Sequence, residues 1–287
     1  MLETELETAQ TLAQIAAKKI LEYYKGQIII EEKIGVDNFS EPVTAADREA
    51  SRIIVDGLNT AFPLDAVLSE EEIDDVDARL KAERVWIIDP IDGTAGFVKK
   101  DGDFAIQIGL AVKGESVLGV VLMPFHEKLY YASKNNGTWL VKGDLEPQRL
   151  KVSYKDDISE MSVAISKNHP SSRMRTVLDR LAFRKSVSRG SVGIKIGLIC
   201  EQECDIYIHL SPRTKMWDIC GPQIILEEAG GKLTDIYGSK YNYERAEVQN
   251  FGGIVASNGI SHQNIIADLR PILTEIGRPK FSAKIRG

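Results

Sequence analysis

Apolar residues at Leu2, Leu6, Ala9, Ala13, Ala16 and Ile20 recur at steps of four and three, which draws one face of a long amphipathic helix, and Gly26 is its stop signal. The pattern then changes. Residues 28–34 read as a strand and 35–40 as a polar loop, and Thr44 caps a second helix whose apolar face runs through Ile53, Ile54 and Leu58. Short apolar runs follow at 67–68, 85–88, 104–112, 116–123, 129–132 and 138–141, with turns at Lys113-Gly114-Glu115 and Asn136-Gly137. The first half therefore predicts helices followed by an antiparallel-rich sheet. A polar stretch at 144–157 precedes a second half that alternates: strand 161–165, helix 171–183, strand 186–188, helix 191–201 and strand 205–210. Next comes an apolar helix with Asp218 at its N-terminus, Pro222 expected in its first turn and Gly230-Gly231 at its end, then strand 254–257 and helix 263–276. The expectation is two closely packed lobes, an N-terminal α+β lobe over 1–150 and a C-terminal α/β lobe over 151–287.

Candidate chemistry collects where the apolar runs stop. In Trp86-Ile-Ile-Asp-Pro-Ile-Asp-Gly-Thr94 a buried-strand signal meets Asp89 and Asp92, with Pro90 expected to turn the chain away. Asp92-Gly93-Thr94 reads as a helix start whose free amides suit an anion, Gly93 allowing close approach. Two carboxylates and an anion site can share a ligand only with a cation between them, and all-oxygen ligands point to magnesium rather than zinc. Taken alone, Asp-Pro-x-Asp-Gly is also simply a turn. The same duality holds elsewhere: Asp47 can complement a helix dipole, Glu70 belongs to an acidic run that could be a solvated face, and Asp218 can be an N-cap.

Composition narrows the classes. A chain of 287 residues with 43% hydrophobic residues has the makings of a proper core, and a net charge of −6 without clustered Lys and Arg argues against a nucleic-acid surface. Cys200, Cys204 and Cys220 have neither CxxC spacing nor an even count, which fits a reducing cytoplasm. No targeting segment is visible, and the apolar run over 117–125 is too short to span a bilayer, so a small-molecule substrate is expected and no membrane.

Together, Pro42-Val-Thr-Ala-Ala-Asp47, Ser69-Glu-Glu71, the Asp89 to Thr94 motif, Trp217-Asp218 and Glu228-Ala-Gly-Gly231 resemble the lithium-sensitive, magnesium-dependent phosphatases of the inositol monophosphatase superfamily. The resemblance implies a layered αβαβα sandwich of the inositol monophosphatase/fructose-1,6-bisphosphatase type and two or three Mg2+ per site. It implies Glu70, Asp89, Asp92, Asp218 and the carbonyl of Ile91 as metal ligands, Asp47, Glu70 and Thr94 as the group that orients and deprotonates water, and the amides of Gly93 and Thr94 as phosphoryl donors. In the second half, Ser211-Pro-Arg-Thr-Lys215 stands where an inositol monophosphatase presents a sugar-facing carboxylate. Ser166-Lys-Asn-His169, Lys195 and Gly96-Phe97 are similar to the 3′(2′),5′-bisphosphate nucleotidase branch, which handles sulfur-metabolism nucleotides. The expected activity is hydrolysis of the 3′-phosphate of 3′-phosphoadenosine 5′-phosphate, with Ser166, His169, Lys195, Arg213 and Lys215 binding the substrate, in a monomer or homodimer. The alternatives are another small phosphomonoester phosphatase of the superfamily, or a non-catalytic nucleotide-sensing regulator.

Overall fold

The N-terminal apolar stripe becomes helix α1 (Glu3–Lys25) in a computed structural model that describes residues 2–34, 40–167 and 171–278. Strands β1 (Ile30–Ile34) and β2 (Ser40–Thr44) pair antiparallel and lead into α2 (Ala45–Ala61). Residues 35–39, most of the expected polar loop, lie outside the described residues, as does His169. Then follow β3 (Ala66–Ser69), α3 (Val76–Lys81), β4 (Arg84–Asp92), α4 (Thr94–Lys99), β5 (Ala105–Val112), β6 (Glu115–Met123), β7 (Lys128–Ser133), β8 (Thr138–Lys142) and β9 (Gln148–Leu150). The second half supplies β10 (Ser162–Ser166), α5 (Ser172–Leu181), β11 (Lys185–Arg189), α6 (Val192–Cys200), β12 (Ile206–His209), α7 (Met216–Glu228), β13 (Lys232–Thr234), β14 (Ile254–Ser257) and α8 (His262–Glu275).

Strands β3 to β9 form one seven-stranded sheet in sequence order, antiparallel except for the parallel β3–β4 pair. A second sheet has the order β11-β10-β12-β14-β13. The layering follows from strand alternation, since successive side chains point to opposite faces. Trp86, Ile88, Ile108 and Val120 face α1 and α2, while Val85, Ile87 and Val121 face α6, α7 and the inner side of the second sheet. Val163, Ile206 and Val255 on that sheet's outer side pack with α5 and α8. The result is the αβαβα sandwich that was expected.

Several local expectations needed correction. Pro90 does not end the strand: β4 continues to Asp92, and the register against β5 shifts between Asp89 and Asp92. A bulge of this kind lets a strand absorb a residue without a ladder donor, and it re-aims the side chains beside it. Pro222 sits inside α7 rather than in its first turn, because the helix begins at Met216. Residues 73–84, where no element was expected, contain α3, held where the Arg79 guanidinium binds Asp74 and donates to the Arg245 carbonyl at 2.8 Å. The polar stretch at 144–157 hides β9, whose alternation is too short to register as a strand.

One buried group makes the C-terminal layer pH-sensitive. His262 is fully buried, with Nδ1 2.8 Å from Ser257 Oγ and Nε2 2.9 Å from Thr234 Oγ1, and burial, then the charge of Lys232, pushes its pKa down from 6.5 to about 4. The unfolded chain then binds a proton that the native one refuses, so stability is complete above pH 6.5 and falls as pH drops toward about 4. After allowance for solvent screening the loss is roughly 2 kcal/mol. Chemical denaturation of wild type and His262→Gln across that window should show a shallower slope in the variant.

Candidate active site

The acids foreseen at the ends of apolar runs converge. Asp89 and Asp92 lie at the bulged end of β4, and Asp218 is the third residue of α7, where its carboxylate accepts from the Lys215 amide. Carboxylate oxygens of Asp89, Asp92 and Asp218 all lie within 4.8 Å of one another. Asp92 is fixed further by α6, whose cap Ser191 donates its hydroxyl, and Gly193 its amide at 3.0 Å, to Asp92 Oδ2. Burial is the main force raising the pKa of all three acids. Asp89 is raised further by the charges of Glu70, Asp92 and Asp218, and Asp218 by those of Asp92 and Glu70. Like charges gathered out of water disfavour their own ionisation. A cation is what relieves them, and a donor set of oxygens alone matches magnesium, so these residues fit the metal.

Glu70 lines the same cavity of about 290 Å³ but stands beside the tight trio rather than inside it. Its Oε1 accepts from Lys33 Nζ at 2.7 Å, and the same ammonium reaches Glu71 at 2.6 Å. Asp47 is not on the cavity surface. It is the third residue of α2, accepting from the amide of the N-cap Thr44 at 2.8 Å and from its hydroxyl at 2.6 Å, and its Oδ1 lies 3.1 Å from the Thr94 hydroxyl, which lines the cavity. Burial, only partly offset by the Thr44 bonds, pushes the Asp47 carboxyl up to about 6. Thr94 Oγ1 is also 3.1 Å from the Ile91 carbonyl. Gly93 has φ +95°, and a Cβ there would lie 2.6 Å from the Asp103 carbonyl oxygen, so the backbone itself requires glycine, whatever an anion needs.

The remaining predicted residues divide. Ser166, Lys195, Arg213 and Lys215 line the cavity with the acids. Lys195 is buried within α6, and its ammonium donates to the carbonyls of Gly190 at 2.9 Å and Ser191 at 2.6 Å while lying 4.9 Å from the Tyr207 ring. Lys215 packs its ammonium 5.3 Å from the Trp217 ring. Sequence reading missed Lys33, Ser191, Tyr207 and His209. The first two carry no motif signal, and the last two look like an ordinary buried strand until β12 is seen to run beneath the cavity.

This architecture is that of a layered α/β metal phosphatase fold, and the chain belongs to the inositol monophosphatase family, whose model matches residues 1–274. It is 32% identical over 242 residues to the 3′(2′),5′-bisphosphate nucleotidase CysQ of Salmonella typhimurium, covering 84% of this chain and 95% of that protein. Among solved structures it is similar to a Thermotoga maritima IMPase, with TM-score 0.79, 28% identity and coverage of 96% and 100% of the two chains. It is also similar to CysQ from Bacteroides thetaiotaomicron, with TM-score 0.74, 28% identity and coverage of 89% and 97%. Phosphatases of this family are metal-dependent, and the acid cluster is present in this chain. No helix among the described residues is long and apolar enough to cross a membrane.

Proposed function

We propose that this protein is a magnesium-dependent phosphomonoesterase that hydrolyses the 3′-phosphate of 3′-phosphoadenosine 5′-phosphate to AMP and phosphate. One observation carries the reading: among the described residues, the carboxylates lining the cavity are Glu70, Asp89, Asp92 and Asp218, and its other charged residues are cations, Lys99, Lys195, Arg213 and Lys215. A substrate there meets acids that need a metal and, beside them, a set of cations. A second phosphate makes charge-assisted hydrogen bonds with cations of this kind that a sugar's neutral hydroxyls do not match. The three unpaired, buried cysteines support a cytoplasmic setting.

Asp89, Asp92 and Asp218, with Glu70 and the Ile91 carbonyl, would hold one or more magnesium ions. When bound, the metal supplies charge that acidifies water and neutralises phosphoryl oxygens. Around it, Thr94 Oγ1 accepts a proton from the attacking water while passing its own to Asp47, which reaches the cavity only through that hydroxyl. The Gly93 and Thr94 amides hold the phosphoryl group, and the lobe over 151–287 grips the leaving nucleotide through Ser166, Arg213 and Lys215. Thr94→Ala should lower kcat by about 100-fold with little change in KM, and Thr94→Ser should restore most of it. Equal losses in both variants would take the hydroxyl out of the proton path.

Phosphate release from 3′-phosphoadenosine 5′-phosphate, inositol 1-phosphate, fructose 1,6-bisphosphate and histidinol phosphate, with magnesium, EDTA or lithium, tests the whole reading. The expected outcome is turnover only with magnesium, suppressed by lithium, and fastest on the nucleotide. A higher kcat/KM on inositol 1-phosphate would favour the second reading, a sugar-phosphate phosphatase, which the Thermotoga maritima likeness supports.

A further inference from the structure

A second cavity of about 260 Å³ adjoins the first, and the two share Ser166, His209 and Arg213. Its apolar wall includes Ile165, Met174 and Leu210, its charged groups among the described residues are Arg173, Arg213 and Arg278, and no described Asp or Glu lines it. Arg278 stands out among them. It is 8% exposed, Nη2 donates to the Phe251 carbonyl at 3.2 Å, the guanidinium also meets the Tyr237 hydroxyl, and Nε itself has no partner among the described residues. No carboxylate forms an ion pair with Arg278 or with Arg173 among the described residues. The backbone of Arg278 is nevertheless well anchored, its amide donating to the Leu273 carbonyl at 2.8 Å and its carbonyl accepting from the Tyr237 hydroxyl at 3.0 Å.

A guanidinium held out of water without a counter-ion costs several kcal/mol, and nearby arginines add repulsion. Such an arrangement is maintained when an anion completes it, and arginine's planar fork matches phosphate oxygens two at a time. Arg278 also lies beyond residue 274, where the match to the family model ends, so the family pattern does not account for it.

We propose that Arg278, with Arg173 and Arg213, forms a second phosphate site that receives the 5′-phosphate of the nucleotide while its 3′-phosphate lies among the acids. The identity of this ligand rests on the nucleotidase reading above. The apolar wall of Ile165, Met174 and Leu210 flanks the nucleoside, and the two anions are thus sorted by chemistry: one goes to metal-binding carboxylates, the other to arginines. Arg278 thereby sets specificity for a doubly phosphorylated substrate without touching the reacting atoms.

The test measures binding of AMP and of adenosine in EDTA by calorimetry, which needs neither metal nor turnover, alongside steady-state kinetics. Wild type should bind AMP at least about tenfold more tightly than adenosine, the value of a charged hydrogen-bonded contact. Arg278→Gln should erase that difference and raise KM for 3′-phosphoadenosine 5′-phosphate by about tenfold or more with kcat little altered. Arg173→Gln, at an exposed position that does not threaten the fold, should weaken AMP several-fold and decides the matter if Arg278→Gln is unstable. Equal affinities for AMP and adenosine in wild type, or wild-type AMP affinity in a folded Arg278→Gln, would overturn the site. If AMP binding depends on Arg278 but wild type prefers inositol 1-phosphate as substrate, the nucleotidase reading fails while the arginine site stands.

Discussion

Asp89→Asn is expected to give a folded protein whose magnesium-dependent turnover falls by about 1,000-fold or more, and whose melting temperature in EDTA rises above that of wild type. The two effects have one cause. Asp89 is buried beside Glu70, Asp92 and Asp218, which together with burial raise its pKa well above 3.8. Its native form therefore holds a proton more tightly than its unfolded form, so the cluster destabilises the metal-free protein as pH rises above the ordinary carboxylate range. Removing one charge removes part of that cost and, with it, a ligand. Magnesium reverses the comparison: a ligand at 100 times its dissociation constant stabilises the native state by about 2.7 kcal/mol, a gain the variant should largely lose. Melting curves in EDTA and in magnesium, at pH 5 and pH 8, check each part. Wild-type turnover in Asp89→Asn, or an undiminished magnesium shift, would remove Asp89 from the cation site.

Gly119→Ala is the second large effect, and it acts from beneath α7. Gly109 and Gly119 face each other directly across β5 and β6, and Gly221 of α7 lies against them. A Cβ on Gly119 would sit 2.2 Å from the Gly221 carbonyl oxygen, and one on Gly109 would sit 2.7 Å from the Gly221 amide nitrogen. These glycines form a trough that lets helix backbone rest on sheet backbone, and nothing flexible is available to yield. The added methyl must lift α7, at a cost of roughly 3 kcal/mol. Because Asp218 rides three residues before Gly221, the lift also carries a carboxylate away from Asp89 and Asp92. A displacement near 1 Å is enough to lower kcat by about 100-fold. Gly26→Ala, where a Cβ meets nothing closer than 3.5 Å, is the control and should change neither stability nor rate appreciably. Denaturant titration with parallel kinetics decides the matter: a destabilised Gly119→Ala with wild-type kcat would uncouple the trough from the site.

Much of the site was legible because chemistry left local marks. Asp89 and Asp92 interrupt a run of buried residues, and buried strands rarely end in two acids without a use for them. Asp47 was read as a dipole charge and Asp218 as an N-cap; both sit at the third position of their helices, where their carboxylates accept from the amides of the N-cap residues Thr44 and Lys215. Their second use was invisible locally, since the same carboxylate that satisfies one amide can also face a partner from another element. Lys33 illustrates the opposite case: it sits in a short, polar hairpin with no motif, and only folding brings its ammonium to Glu70 and Glu71. Arg278 is similar, an arginine near the end of the chain whose burial no periodicity announces.

The order of residues by itself determined most of the element types, the alternation that gives each sheet two buried faces, and the set of acids, because those depend on spacing of 2 or 3.6 residues and on side-chain chemistry within a few positions. What the three-dimensional arrangement alone decided was how near these groups come. A β-bulge aims Asp89 and Asp92, a glycine trough sets the height of α7 and hence of Asp218, and a neighbouring cavity gathers three arginines from separate parts of the chain. The glycine contacts that set the height of α7 join residues about a hundred positions apart, and side-chain order along the chain carries no measure of such distances.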